Sequence, residues 1–298
     1  MNGILCIYKP KGITSFDVVA KVRKIAGTKK VGHAGTLDPM ATGVLPIFIN
    51  RATKACDCLP IQDKSYQATF LLGKTTDTQD ITGTVLTQSD VCVTQMQIQK
   101  VVDSFLGQQL QTPPMYSAIK IDGKKLYELA RKGIEVERTP RPITIYDIQL
   151  LQVDLINHLC TIHVDCSKGT YIRTICEDIG NLLGCGATMT ALERTVACGY
   201  TTAMCISLEE AAHLAQENRL DCAIKPMESV FSCLQRIILD ENFTRLLKNG
   251  VKIKIDRLNL AYTPQDIAVY NHEDNFLGIA TIDSQTLEIK MKKLFTID

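Results

Sequence analysis

The 298-residue sequence lacks the features that mark membrane proteins and exported proteins. No apolar run approaches the roughly 18 residues that a membrane-spanning helix needs. The N-terminal stretch MNGILCIYKPKG has only a short apolar run and no pattern of a signal-peptide cleavage site. We therefore expect a cytosolic protein without membrane-spanning segments.

Twelve cysteines are present, but they lack the spacings by which cysteines usually bind metal. There is no C-x-x-C pair, the closest pair is Cys56-x-Cys58, and no pair combines with histidines at zinc-finger spacing. Most cysteines, such as Cys160 and Cys176, lie in apolar or mixed segments, where a free thiol packs as a small hydrophobe. We expect reduced, structural thiols, with neither disulfides nor a metal site.

The sequence also lacks internal repeats, low-complexity linkers and a regular alternation of strands and helices. An α+β fold is therefore favoured over a doubly wound one. From about residue 230 short strands follow one another, which predicts a large domain over residues 1–235 and a small β-rich domain over 236–298. Within the large domain the patterns predict strands at 3–8, 44–49, 66–72, 143–153 and 160–166, a loop at 73–80, and helices from Thr14, at 94–106, at 124–132 and at 170–183.

Positive charge is concentrated near the N-terminus, although the formal net charge of the chain is only +1. Residues 1–54 contain nine Lys and Arg but two acids, Asp17 and Asp38, so this segment carries a charge of +7. Such asymmetry is typical of a protein that meets an anionic partner. A helix with a solvated basic face would explain it equally well.

One acidic residue, Asp38, stands without another charge in GHAGTLDPMATGVLPIFI, residues 32–49. Glycines and a proline surround it, and an apolar strand follows. A tight turn in which the aspartate caps backbone amides would explain this pattern. A catalytic carboxylate on a rigid loop would explain it too.

Two further polar clusters interrupt apolar text. One is Tyr66, with Asp77 and Asp80 after its strand, and the other is CSKGTYIR, residues 166–173, at a strand-to-helix junction. Each has a structural explanation when taken singly. Arg173 is the least ordinary, because an arginine gains nothing from the helix dipole in a first turn. Its place there indicates contact with a carboxylate or a phosphate.

Taken in order, GHAGTLDPMATGVLPI, KSYQATFLLGKTTDTQD and CSKGTYIRT closely resemble motifs of the bacterial tRNA pseudouridine-55 synthases, the TruB-type family. YKPKGITSFDVV and PPMYSAIKIDGKKLYELARKG resemble that family as well, so the likeness spans about residues 3–235. The C-terminal segment, 236–298, resembles a shortened or diverged PUA-type RNA-binding domain.

The resemblance implies a mixed, largely antiparallel sheet flanked by helices, and isomerisation of the position-55 uridine in the TΨC loop of tRNA. It implies no cofactor: neither nicotinamide nor flavin, because the reaction is redox-neutral, nor a metal, because members of the family need none. The partner would be the TΨC arm of tRNA, held through phosphate contacts by the basic N-terminal third and by Lys124, Lys125, Arg131 and Lys132. A monomer is the default.

By resemblance, the catalytic residues are Asp38, Arg173 and Tyr66, and Asp80 supports them from the substrate-binding set. Asp38 matches the nucleophilic aspartate, which would attack the ribose or assist glycal formation. Arg173 matches the arginine that pairs with it, and a cation at that place is expected to lower the pKa of the carboxyl. Asp80 matches the acid that steadies the arginine on its other side.

Besides the catalytic Tyr66, the residues that match the substrate-binding set of the family are His33, Tyr171, Thr195 and Asp80. Tyr66 matches the tyrosine that stacks on the target base and is suspected of proton transfer. His33 matches a histidine that holds the flipped nucleotide, and Tyr171 matches a substrate-contacting tyrosine. Thr195, in LERTVA, stands where some members carry a leucine against the base, so a looser contact is expected there.

Three other interpretations stay open. A non-catalytic RNA-binding or tRNA-folding protein would need the basic surface but not the three catalytic groups together. A glycoside hydrolase would need a second carboxylate facing a cleft about 5–9.5 Å from Asp38. A guide-RNA-dependent relative would keep the chemistry and change the mode of recognition.

Overall fold

A computed structural model describes residues 1–121 and 123–295. In chain order the strands are β1 (Gly3–Lys9), β2 (Val31–His33), β3 (Thr42–Ile49), β4 (Lys64–Leu72), β5 (Lys74–Thr76), β6 (Val85–Gln88), β7 (Gly107–Gln111), β8 (Lys120–Ile121), β9 (Lys124–Lys125), β10 (Arg141–Asp154), β11 (Leu159–Cys166), β12 (Ala187–Ala197), β13 (Tyr200–Thr201), β14 (Ile224–Lys225), β15 (Gln235–Ile238), β16 (Ile253–Lys254), β17 (Ile267–Tyr270), β18 (Phe276–Ile282) and β19 (Glu288–Leu294). The α-helices are α1 (Ser15–Ile25), α2 (Gln95–Asp103), α3 (Leu126–Ala130), α4 (Ile172–Leu182), α5 (Leu208–Gln216) and α6 (Glu241–Lys248). No helix in these described ranges is long and apolar enough to cross a membrane.

A ten-stranded sheet forms the centre of the molecule, with the order β14-β1-β3-β12-β4-β11-β10-β7, while β2 pairs with β3 and β13 with β12. All of its pairs are antiparallel except β3 with β12, which run parallel. The predicted α+β class with a mixed, largely antiparallel sheet is confirmed. The parallel pair brings the chain after Asp38 beside the chain around Arg194.

Strand alternation decides which face of the sheet is covered. In β11 every second residue from Cys160 to Cys166 is buried, as expected of a strand with one face against a core. Residues of α1, α2, α4 and α5 pack on that face in one hydrophobic cluster with β4 and β11. The first helix begins as predicted, because Thr14 and Asp17 form a capping box.

A second, five-stranded sheet has the order β15-β17-β18-β19-β16. Rings of Phe231, Phe276 and Phe295 stack or tilt against one another at 5.5–5.6 Å between centroids. They belong to a hydrophobic cluster with Ile4 and Phe48 of the large sheet, so the two sheets share a core. The boundary at 235/236 stays a prediction.

Several local predictions were wrong. The segment expected to be a loop over 73–80 contains β5, which pairs with β6 across a turn. The helix expected over 124–132 is only Leu126–Ala130, because the chain before it pairs as β8 with β9. Strand β12 was not anticipated from the sequence. Its polar and apolar residues do not alternate regularly, because its pairing with β4 shifts register twice.

Candidate active site

The loop between β2 and β3 carries Asp38, and a buried lysine fixes its shape. Lys9 is fully buried at the end of β1. Its Nζ donates to the carbonyls of Pro10 at 2.9 Å, Pro39 at 3.3 Å and Ala41 at 2.6 Å. Three charge-assisted bonds hold the residues that follow Asp38, together with the turn at Pro10, in one conformation.

The first helical turn after the CSKGT segment brings Arg173 to Asp38. The Nε of Arg173 lies 2.9 Å from Oδ2 of Asp38. Its Nη1 donates to the carbonyl of Thr78 at 2.8 Å, and its Nη2 donates to that of Tyr116 at 2.9 Å. Arg173 is only 5% exposed, so this planar guanidinium is fixed from three directions and orients the carboxylate.

Asp80 lies on the other side of the arginine, with its Oδ2 3.6 Å from Nη1 of Arg173. Its Oδ1 accepts hydrogen bonds from Thr78 Oγ1 at 2.9 Å, from Thr82 N at 3.0 Å and from Thr82 Oγ1 at 2.5 Å. Asp80 is 5% exposed and does not face an open cleft. This burial disfavours a hydrolase that would use it as a second catalytic carboxylate.

The pKa of Asp38 departs from the expectation. Burial raises it above its ordinary value; the charge of Arg173 opposes this rise, the charge of Asp80 adds to it and that of Lys9 opposes it. The arginine therefore acts in the expected direction, but desolvation is the larger effect. A carboxylate of raised pKa is a stronger base and nucleophile than an ordinary aspartate, provided that it stays ionised.

Tyr66 lies on β4, on the helix-covered face of the sheet, and is 7% exposed. Burial raises the pKa of its phenol to about 12, although the neighbouring guanidinium of Arg194 lowers it. The phenol is therefore protonated at neutral pH. This protonation favours a stacking role for the ring over that of a general base.

Arg194 was not anticipated from the sequence. It stands opposite Tyr66 in the pairing of β12 with β4 and is fully buried. Its Nε donates to the carbonyl of Val44 at 2.8 Å, and its Nη2 donates to that of Gly35 at 3.0 Å. These two acceptors lie on either side of Asp38 in the chain.

His33 ends β2, and Tyr171 caps the start of α4. Burial and then the charge of Arg194 lower the pKa of His33, so its imidazole is neutral at pH 7. The backbone of Tyr171 is held by Gln111, which accepts from its N–H at 2.8 Å and donates to its carbonyl at 3.1 Å. Both rings lie next to residues that contact Asp38 or its loop.

Thr195 lies where the pairing of β12 with β4 shifts by one residue, between Arg194 and Val196. Its Oγ1 is buried, and none of the described residues forms a hydrogen bond with it. Leu192 stands opposite Ala68, two residues along β4 from Tyr66, and therefore lies on the Tyr66 face. Leu192 is 8% exposed and, of the apolar residues of this strand on that face, it lies nearest in register to Tyr66; the sequence had given no sign of it.

Among the residues that the structure describes, one group of side chains could hold a metal ion, but it lies apart from Asp38. Ligand atoms of Asp147, His163 and Asp165 are within 4.8 Å of one another. Val164 pairs with Tyr66 and shares its face, so His163 and Asp165 point to the opposite face of the sheet. The group therefore cannot act on a substrate held at Asp38.

Comparison with known proteins gives one consistent result. Residues 23–172 match the family model described as "TruB family pseudouridylate synthase (N terminal domain)". Residues 173–232 match the model described as "tRNA pseudouridylate synthase B C-terminal domain". Neither match reaches residues 236–298.

Curated relatives match almost the whole chain. A protein named tRNA pseudouridine synthase B from Clostridium tetani is 49% identical over 280 residues, which is 94% of this chain and 95% of that protein. One of the same name from Clostridium novyi is 47% identical over 97% of this chain and 99% of that protein.

Among solved structures, a chain of "Crystal Structure of a Cbf5-Nop10-Gar1 Complex" superposes with a TM-score of 0.76 at 24% identity, covering 99% of this chain and 85% of that one. At this identity the likeness supports the fold alone.

Proposed function

The chain belongs to the TruB family of pseudouridylate synthases, and we propose that it isomerises the uridine at position 55, in the TΨC loop of tRNA, to pseudouridine. Its relatives are named for tRNA pseudouridine synthesis. The observation that carries the finer proposal is the 2.9 Å ion pair between Asp38 and Arg173 on a loop held by buried cations. An RNA-binding protein without catalysis has no need of such a pair.

In the proposed reaction Asp38 is the nucleophile. Its carboxylate attacks C1′ of the ribose, or assists glycal formation, as the bond from C1′ to N1 of uracil breaks. The detached uracil turns, and its C5 forms the new bond to C1′ as the bond from C1′ to the carboxylate breaks, or, by the glycal route, as the proton removed from C2′ returns; the proton on C5 then leaves and N1 gains a proton. Atoms and electrons balance without a redox cofactor, and Arg173 keeps the carboxylate ionised and aimed.

The target base must leave the folded loop before it can react. Flipping a nucleotide out costs a few kcal/mol, and stacking of the base on the ring of Tyr66 can return about 1–3 kcal/mol. The neutral imidazole of His33 and the phenol of Tyr171 would then contact the flipped nucleotide. Recognition of single-stranded loops, where base edges are free, is how proteins usually read RNA sequence.

Binding would come from phosphate contacts by the basic N-terminal segment and the Lys124–Lys132 region, and would weaken with salt. We also place the enzyme in the cytosol as a monomer. In support of a reducing compartment, all twelve cysteines lie in the described part of the chain and are free thiols.

An isomerisation assay tests this function. An unmodified tRNA transcript would be incubated with the protein, and pseudouridine mapped by base-specific chemical labelling and primer extension. A stop at the TΨC-loop uridine, absent from a transcript with cytidine at that position, is expected. Tight tRNA binding without any stop would refute this proposal and indicate a tRNA-folding protein. A stop only in the presence of a guide RNA would indicate that the substrate is recognised through that guide.

A further inference from the structure

The guanidinium of Arg194 is a fully buried cation without a counter-ion. No ion pair joins it to a carboxylate in the described ranges, and its Nη1 finds no hydrogen-bond partner there. Burying an uncompensated charge is strongly unfavourable unless the surrounding dipoles are fixed for it. An apolar side chain would pack in this strand at lower cost, so the charge calls for an explanation.

Two backbone carbonyls receive that charge, and they bracket the Asp38 loop. The Gly35 carbonyl, three residues before Asp38, accepts from Nη2, and the Val44 carbonyl, six residues after it, accepts from Nε. Arg194 thus joins the two ends of the loop, at Gly35 and Val44, whereas Lys9 binds carbonyls within it. The two cations hold different parts of one turn.

Two glycines of the loop lie close to residue 194, Gly35 against its side chain and Gly43 against its backbone. Gly35 has φ +77°, and a Cβ there would lie 3.2 Å from Nη1 of Arg194. Gly43 has φ +104°, and a Cβ there would lie 2.2 Å from the Arg194 carbonyl. The left-handed backbone disfavours other residues at both positions, and at Gly43 the backbone of Arg194 also leaves no room for a Cβ, so the loop packs directly against residue 194.

The other side of Arg194 faces the stacking ring. Arg194 stands opposite Tyr66 in register, and the strand bulges at the next residue. A bulge redirects side chains locally. The guanidinium therefore contacts the Asp38 loop on one side. On its other side lies the ring of Tyr66, which would receive the base.

We propose that Arg194 is a positioning residue that fixes the Asp38 loop relative to the Tyr66 ring, so that nucleophile and stacking surface meet the substrate in one geometry. This role rests on the proposed function. Arg194 is too buried to touch RNA itself. Its effect is expected on the rate of the bound complex and not on tRNA affinity.

Two substitutions separate its features. Arg194→Lys keeps the charge but cannot serve both carbonyls, and Arg194→Met removes the charge at similar length. Two controls accompany them: Phe231→Leu weakens the core shared by the two sheets, and Arg219→Met alters a surface arginine paired with Glu217. Each variant is first checked for folding by circular dichroism and denaturation.

Single-turnover rate at saturating tRNA and tRNA Kd are then measured separately. Both Arg194 variants are expected to lose about 10²-fold in rate, because a misplacement near 1 Å has that effect, while Kd stays within about threefold. Phe231→Leu should lose stability but keep its rate, and Arg219→Met should change neither. Equal rates for wild type and a folded Arg194→Lys would overturn the proposal. If Arg194→Met does not fold, the rate of Arg194→Lys decides the test.

A readout without activity keeps the two proposals apart. Hydrogen exchange of the amides in residues 35–44 should accelerate at least about tenfold in Arg194→Lys and remain unchanged in Arg219→Met. The NMR titration of His33 should move to higher pH in Arg194→Met, since the charge of Arg194 lowers the pKa of His33. If wild type isomerises no uridine, the proposed function fails, and unchanged exchange in that loop would separately refute the positioning role.

Discussion

Arg173 offers the sharpest prediction about the catalytic centre. Its guanidinium serves acceptors in three directions: the Asp38 carboxylate, the Thr78 carbonyl and the Tyr116 carbonyl, at 2.8–2.9 Å. In Arg173→Lys the charge remains, but we expect one ammonium to serve only one of the three acceptors. At least two charge-assisted bonds are then lost, in a site where the arginine is 5% exposed.

The magnitude follows from those two bonds. Hydrogen bonds to charged groups contribute about 1.5–3 kcal/mol each. The side chain of Asp38 is 36% exposed, so water recovers part of the loss there. We therefore expect the free energy of unfolding to fall by about 3 kcal/mol. The rate should fall by about 10²-fold or more, because the carboxylate loses its orientation.

The assay combines urea denaturation, tRNA binding and single-turnover isomerisation of Arg173→Lys. Arg219→Lys is the matched control, since this surface arginine only pairs with Glu217 at 3.0 Å. The control should match wild type in all three measurements. If Arg173→Lys kept a rate within about threefold of wild type and full stability, the three-way arrangement would not be what holds Asp38.

Three more predictions concern charge, backbone and stacking. Burial raises the pKa of Asp38, and the charge of Asp80 adds to this rise, so the rate should fall on acidification at a pH above the ordinary 3.8. Asp80→Asn should therefore move the midpoint of a single-turnover pH profile to lower pH. An unmoved midpoint would contradict this prediction. Gly43→Ala should lower the free energy of unfolding, measured in urea, by more than about 2 kcal/mol. Gly107→Ala is the control, because Gly107 has a similar φ of +101° but no atom within 4 Å of an added Cβ, and it should cost less. Equal losses would count against the close approach of β12 to Gly43. Tyr66→Leu should slow isomerisation more than Tyr66→Phe, since only the latter keeps a ring to stack on the base, and the reverse order in single-turnover rates would exclude stacking.

Local signals were enough to predict much of the fold. The Thr14 and Asp17 capping box was visible as a sequence pattern and forms as expected. Alternation predicted β11, because one of its faces lies against the core. For β12 the bulges break the alternation, so a strand in the middle of the sheet carried no clear signal.

The site divides in the same way. Resemblance of the motifs pointed to Asp38, Asp80 and Arg173, which the fold brings together. Lys9 and Arg194 escaped attention because a cation in a sequence ordinarily predicts an exposed side chain. Their burial depends on carbonyls that turn inward from a loop 30 to 159 residues away, which no local pattern records.

The same distinction applies to the pKa of Asp38. Pairing with an arginine predicted a lowered value, whereas the packing around the loop raises it. Desolvation depends on every neighbour in space and cannot be obtained from the identity of one partner.

The central claim is that Asp38 is the nucleophile of a tRNA uridine isomerase. We would measure single-turnover pseudouridine formation and tRNA Kd for wild type and Asp38→Asn side by side, on the same unmodified transcript. The account predicts a stop at the TΨC-loop uridine with wild type only, and a Kd within about threefold in both. Pseudouridine formed at a similar rate by Asp38→Asn, or none formed by a wild-type protein that binds tRNA tightly, would contradict it.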